Sequence, residues 1–143
     1  MMSTDDPLPA GSDELLYRQV HPNFAPFGRP SSQAFSPTKK DNYQLSVDRS
    51  SSTTPKDAFV LHTEGRGLKS AGTWAVTVAE CTEKHLGCFP DPLFCPPEII
   101  ADPAHCRVDF SSLSSDGRRQ IAGQFLATAA HSRGCLFRAP ETA

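Results

Sequence analysis

The sequence predicts a single α+β domain: a mixed sheet of about five strands with two or three helices packed on one face of it. Three observations carry this expectation. The chain has 143 residues, the length of one domain. Short alternating or β-branched stretches recur along it, separated by helix-start signals. The C-terminal end reads strand–helix–strand, a connection that often forms a right-handed parallel crossover. A domain of this size buries roughly 70% of its extended-chain surface and needs no staple to fold. The 13 prolines interrupt periodicity and predict long irregular connections.

Each element follows from its residues. Residues 1–12 are polar, with Pro7, Pro9 and Gly11, and read as a disordered tail; the domain is expected over 13–140. Leu15 to Val20 reads as a first strand, stopped by His21-Pro22 because proline cannot donate to a ladder. The segment 22–42 is mostly loop. Tyr43 to Val47 alternates in polarity and reads as a strand. Thr54-Pro55-Lys56-Asp57 starts a helix: Thr54 caps, Pro55 suits the first helical position, and Asp57 favours the positive end. Thr73 to Val76 is the strongest strand signal. It runs into Thr77-Val78-Ala79-Glu80, a capping box, with a helix expected to about Leu86 and Gly87 past its end. Residues 88–105 read as a second Pro-rich loop and Cys106 to Phe110 as a strand. Ser115-Asp116 opens the longest helix, over 116–133, with Ile121, Phe125 and Ala129 on one face and Ala122 and Leu126 beside them. Cys135 to Arg138 is a short last strand.

Composition limits the function classes. The formal net charge is −2, and the only close basic pairs are Lys39-Lys40 and Arg118-Arg119. Neither is a basic stripe, so nucleic acid is not favoured as a partner. No apolar run approaches the roughly 18 residues of a membrane span. The start of the chain carries Asp5, Asp6 and Asp13 and lacks a basic-then-apolar leader. Five cysteines make an odd count, which reads as free thiols in a reducing cytoplasm rather than a disulfide framework.

Leu16-Tyr17-Arg18-Gln19-Val20-His21-Pro22, then Ser31-Ser32-Gln33-Ala34-Phe35 with Pro37, then Leu45-Ser46-Val47 resemble a family of small uncharacterised bacterial proteins. In them a QVHP segment is followed by SQAF-x-P and LSV segments. Ala71 to Val78, Val108-Asp109-Phe110 and Gly134-Cys135-Leu136 also resemble that pattern, so the likeness covers most of residues 15–138. It implies a bacterial origin and one domain, and it implies no reaction. Those proteins are similar except for a shorter connection where this chain has residues 85–106, which bring extra cysteines.

Three constellations carry candidate chemistry. Cys81 and His85 lie four apart on one expected helix face, and Cys88, Cys95, His105 and Cys106 follow. Thiolate and imidazole are natural zinc ligands, and four close a tetrahedral structural site. No C-x-x-C knuckle is present, and the alternative is that Cys81, Cys88 and Cys106 are core residues while His85 and His105 are solvated. Second, Arg18 and His21 at one strand edge, Ser32 in the following loop and a glutamate such as Glu80 make a group that resembles an ADP-ribosyltransferase-like cleft. There an Arg or His would hold a dinucleotide and the glutamate would stabilise an oxocarbenium-like state. The alternative pairs Arg18 with an acidic neighbour and leaves His21 capping the strand end. Third, Cys135 near His131 and Cys106 beside His105 are poor nucleophiles. The first lies at a helix C-terminus, against the dipole, and neighbours on a strand face opposite ways.

Two loops complete the reading. Gly65-Arg66-Gly67-Leu68-Lys69-Ser70 lacks the spacing of a phosphate loop. Phe24 and Phe27 sit in a Pro-rich stretch that is a binding patch if exposed, while such rings more often fold back on their own loop. With no coherent catalytic constellation and a near-neutral charge, the leading expectation is a non-enzymatic interaction module. It would be an accessory protein of a bacterial operon, acting through a protein partner. The Arg18 cleft and a zinc-stabilised binding domain are the alternatives.

Overall fold

A computed structural model describes residues 6–93 and 101–140. It bears out the α+β class. The order is β1 (Leu15–Gln19), β2 (Gln44–Arg49), α1 (Pro55–Val60), β3 (Gly72–Thr77), α2 (Val78–Glu83), β4 (Gly87–Pro90), β5 (His105–Asp109), α3 (Asp116–Arg133) and β6 (Phe137–Arg138). The strands form one sheet in the order β4-β5-β2-β1-β3-β6. Each neighbouring pair is antiparallel. β5 and β6 therefore run in the same direction, but β2, β1 and β3 lie between them. The expected strand–helix–strand unit is present and spans the sheet.

The local start signals work as chemistry requires. The Thr54 hydroxyl accepts from the Asp57 amide at 3.1 Å. In the capping box the Thr77 hydroxyl accepts from Glu80 N at 3.0 Å, and Thr77 N donates to Glu80 Oε1 at 2.8 Å. Ser115 accepts from Arg118 N at 3.2 Å. After α1 the chain widens into a π-turn over Leu61–Gly65.

Four expectations need correction. The helix after Thr77 ends at Glu83, not near Leu86, because His85 turns left-handed with φ 63°. The chain then reverses, and Gly87–Pro90 pairs with β5 as a strand instead of opening a loop. The helices cover both faces of the sheet rather than one. β3 is buried at five successive positions, so each of its faces needs a lid. Trp74 and Val76 point towards α3 with Leu16, Val47 and Val108, whereas Ala75 and Tyr17 point towards Ala58 of α1. The buried face of α3 is Ala122, Gly123, Leu126, Ala127 and Ala130, and Ile121 is 62% exposed. Small residues win this face because the helix closes tightly on a 3-10 turn, Ser32–Phe35. A methyl group on Gly123 would collide with Ser36 and come within 3.0 Å of Phe35 O.

Part of the expected tail over 1–12 lies outside the described residues, and the rest is held. Leu8 is 5% exposed within the core. Its amide donates to Cys88 O at 2.7 Å, and Ser12 O accepts from Ala79 N at 2.9 Å. One apolar side chain and a strand carbonyl suffice to anchor it. The Pro-rich segment 22–42 is a series of 3-10 turns, Pro22–Phe24, Pro26–Gly28, Ser32–Phe35 and Lys39–Asp41. Buried Ala34 and Phe35 pin it beneath α3.

Candidate functional site

Arg18 organises the site. β1 pairs with β3 over five residues but with β2 only at Leu16↔Arg49 and Tyr17↔Asp48. Beyond those two pairs β2 gives its carbonyl to a side chain. Arg18 Nη1 donates to Ser46 O at 3.0 Å, and Arg18 Nε donates to Ala34 O at 2.9 Å. The guanidinium thus ties the sheet to the 3-10 segment. Burial brings its pKa down to about 10, with Asp41 pulling the other way, so it remains a cation at neutral pH. Among the described residues no carboxylate lies within 4.0 Å of it. Two backbone bonds leave three of the five guanidinium N–H groups unspent.

Arg18 borders three cavities. The largest, of about 780 Å³, is a cleft between the 32–41 segment, β2 and the first half of α3. Its walls are Arg18, Ser32, Gln33, Ser36, Asp41, Ser46, Gln120 and Gln124, with Phe24, Pro37, Thr38, Gln44 and Leu45. That volume falls within the range of small-molecule sites, but the lining is richer in amides and hydroxyls than most. Gln44 is already committed: it donates to Asp109 at 2.7 Å and accepts from Arg107 at 2.8 Å. The side chains of Gln33, Gln120 and Gln124 make no hydrogen bond among the described residues.

A second cavity, of about 210 Å³, joins Arg18 to His21, Phe24, His62 and Lys69. His21 Nδ1 accepts from Asn23 N at 3.0 Å, which leaves Nε2 to carry the proton of the neutral ring. A third, of about 250 Å³, joins Arg18 to Tyr17, Gln19, Ser46, Asp48, His62, Arg66 and His105. Burial holds His62 below the usual imidazole range, helped by Arg18, Arg66 and His21 and opposed by a backbone hydrogen bond to Lys69. Asp48 is pushed up to about 8, by burial first and then by its hydrogen bond and proximity to Asp102, against the pull of Arg66. Asp102 is 3% exposed. It accepts from Ala104 N at 3.2 Å and pairs with Arg66 at 3.4 Å.

Of the residues proposed as catalytic, Arg18 and Ser32 line the cleft together. His21 meets Arg18 in the adjacent cavity. Glu80 lies elsewhere: it completes the α2 cap and pairs with Arg133 at 2.9 Å. Burial acts against its ionised form, but Arg133 and Thr77 hold its pKa below the usual value. The acidic side chain on the cleft wall is Asp41. Asp41, Gln33, Gln120 and Gln124 escaped the sequence reading because amides and a lone aspartate in loops carry no spacing signal. Asp48 had one: a charge inside the alternating β2 strand, facing away from Leu45 and Val47.

The proposed metal ligands separate. Cys81, Cys88 and Cys106 lie together in the core. Cys81 is raised well above the usual thiol pKa by a hydrogen bond with Cys88 and then by burial, and burial pushes Cys106 up to about 12. Cys81 and Cys106 are protonated thiols, and all three cysteines pack as small hydrophobes. His85 is exposed after the α2 cap. His105 is adjacent to Cys106 on β5, turns to the other face and bonds Asp91 O at 2.9 Å. Cys95 lies outside the described residues. Among the described residues no three His, Cys, Asp or Glu side chains are placed to hold a metal ion. Likewise, no described helix is long and apolar enough to cross a membrane.

Comparison with known protein families, curated proteins and solved structures finds no match to this chain. The site therefore stands on its own geometry.

Proposed function

We propose that this domain binds a small polar ligand in the Arg18 cleft and that Arg18 receives an anionic group of that ligand, a carboxylate or a phosphate. One observation carries this reading: the half-buried Arg18 guanidinium faces a cleft of about 780 Å³, with no carboxylate within 4.0 Å of it among the described residues. A partly desolvated cation without a counter-ion in contact is costly. A bound anion would offset that cost with charge-assisted hydrogen bonds. The cytoplasmic, reducing setting fits the four described cysteines, which are all free.

The test is titration of the protein with citrate and with inorganic phosphate, followed by NMR of the Arg18 Nε–H signal. Saturable binding is expected. Arg18→Gln, which keeps a side-chain donor for Ser46 O or Ala34 O, is expected to weaken it about tenfold or more. Equal binding by a folded Arg18→Gln protein would sink the proposal. The catalytic form of this reading gains support from Ser32 beside Arg18 in the cleft. Among the described residues no glutamate lines the cleft, so oxocarbenium stabilisation would fall to Asp41.

The reading as a protein-interaction module has its own supporting observation. Phe27 is 99% exposed and held left-handed with φ 58°, and Phe24 beside it is 37% exposed. An exposed ring on a strained turn is the kind of anchor that partners bury. Phe27→Asn keeps a residue that tolerates this backbone and removes the ring. If the ring is an anchor, a partner captured by the wild type is lost with this variant.

A further inference from the structure

We infer that the cleft ligand is a zwitterion with an amide-rich body, a short peptide with free termini, whose carboxylate meets Arg18 and whose ammonium meets Asp41. The inference rests on the reading of Arg18 as an anion anchor and adds the opposite end.

The cleft has two charged walls that do not neutralise each other. Arg18 and Asp41 both line it, and Asp41 acts electrostatically on Arg18. Yet no oxygen of Asp41 comes within 4.0 Å of the guanidinium, whose short contacts are the Ala34 and Ser46 carbonyls. Asp41 commits one oxygen only. Its Oδ2 accepts from Thr38 N at 3.1 Å and from Thr38 Oγ1 at 3.2 Å. Its Oδ1 has no hydrogen bond among the described residues. A simple anion would satisfy Arg18 and be repelled by Asp41, and a simple cation would meet the reverse. Only a molecule carrying both charges gains at both walls.

The body of the ligand follows from the rest of the lining. Gln33 on the 3-10 segment and Gln120 and Gln124 on α3 are exposed, and they present to the cleft carboxamides that make no hydrogen bond among the described residues. Each offers two donors and a two-lone-pair acceptor, the complement of a peptide unit. Apolar contact is confined to Phe24, Pro37 and Leu45, which suits small side chains. The volume of about 780 Å³ is enough for a short peptide.

Isothermal titration with trialanine, N-acetyl-trialanine, trialanine amide and citrate tests this, on the wild type and on Asp41→Asn. The asparagine keeps an acceptor for Thr38, and its fold is checked by the amide NMR spectrum. The expected result is saturable binding of trialanine, weakened about tenfold or more by capping either end. Asp41→Asn should abolish the preference for the free amine and leave the preference for the free carboxylate. Equal binding of the N-acetyl and free peptides by the wild type overturns the zwitterion while the anion anchor stands. Binding of citrate without any peptide overturns it in the same way. If neither peptide nor citrate binds, this inference and the anion reading both fall.

Discussion

Asp48 and Asp102 meet behind the small cavity below Arg18, and the chemistry of that contact is set by one proton. Asp48 Oδ1 is buried with no donor among the described residues. Two ionised carboxylates in contact repel, whereas one proton between them supplies the missing donor. The groups that face Asp48 are Asp102 and His105 from the β5 side, Arg66 and His62 from the π-turn region, and Tyr17 and Arg18 from β1. In the folded protein Asp48 keeps its proton up to about pH 8. The unfolded carboxyl loses it near pH 4, by roughly its ordinary value. Between these limits folding takes up a proton, so this group's contribution to stability falls as pH rises and levels off above about 8. His62 works the other way just below its ordinary value, because its folded form sheds the proton earlier. Glu14 and Asp109 lose stability only in acid. Burial opposes their ionised forms, but hydrogen bonds from Arg49 and Ser51, and from Ser111 and Gln44, hold both below the usual range. Asp48→Asn places an N–H donor where the proton sits. It should raise stability relative to the wild type at pH 8 more than at pH 5, read as urea midpoints. An equal effect at both pH values would show that Asp48 ionises normally.

At the scale of elements, one tight contact fixes the segment that walls the cleft. α3 touches the Ser32–Phe35 turn at Gly123, where any Cβ meets Ser36 and Phe35 O. Gly123→Ala improves the helix by about 1 kcal/mol in propensity, but overpacking of this kind costs about 1–3 kcal/mol. The expected net is a loss of stability up to about 2 kcal/mol, with ligand binding weakened further because Ser32, Gln33 and Ser36 must move. A variant of unchanged stability and affinity would mean that the turn yields freely. The Pro26–Gly28 turn carries the opposite strain. Phe27 holds a left-handed backbone that costs roughly 1–2 kcal/mol for a residue with a Cβ, and its ring is in water. Phe27→Gly removes that strain and loses about 0.5–1 kcal/mol to unfolded-state entropy. A net gain on the order of 0.5 kcal/mol is expected in chemical denaturation. A clear destabilisation would mean that the ring packs in solution.

Across the whole molecule, what was legible in the sequence is what local chemistry decides. Thr54, Thr77 with Glu80, and Ser115 announced their helices because a cap and its amides lie within one turn. The alternation in β2 and β5 gave their inward residues for the same reason. β4 was hidden because Gly87 to Pro90 becomes a strand only when β5 offers an edge, and the face of α3 was misread because a tight approach favours glycine and alanine over isoleucine. In the site, Arg18 and Ser32 were legible as polar residues near one strand edge. The glutamines were not, since their role depends on α3 crossing the 32–41 segment. The N-terminal segment is the sharpest case of a tertiary contact overruling composition. Leu8 is the lone large apolar residue between Met2 and Leu15; it enters the core and reaches the edge strand β4, where its amide meets Cys88 O. Leu8→Ala should therefore cost about 2 kcal/mol, at the low end for a buried leucine because a chain end relaxes easily. With a urea slope of about 2 kcal/mol per molar for a domain of this size, the midpoint should fall by about 1 M. An unchanged midpoint would return the segment to the disordered tail that its composition predicts. A fall of the expected size, with Cys88 N–H and its β4 neighbours losing hydrogen-exchange protection, would make the segment part of the folding unit that closes the β4 edge.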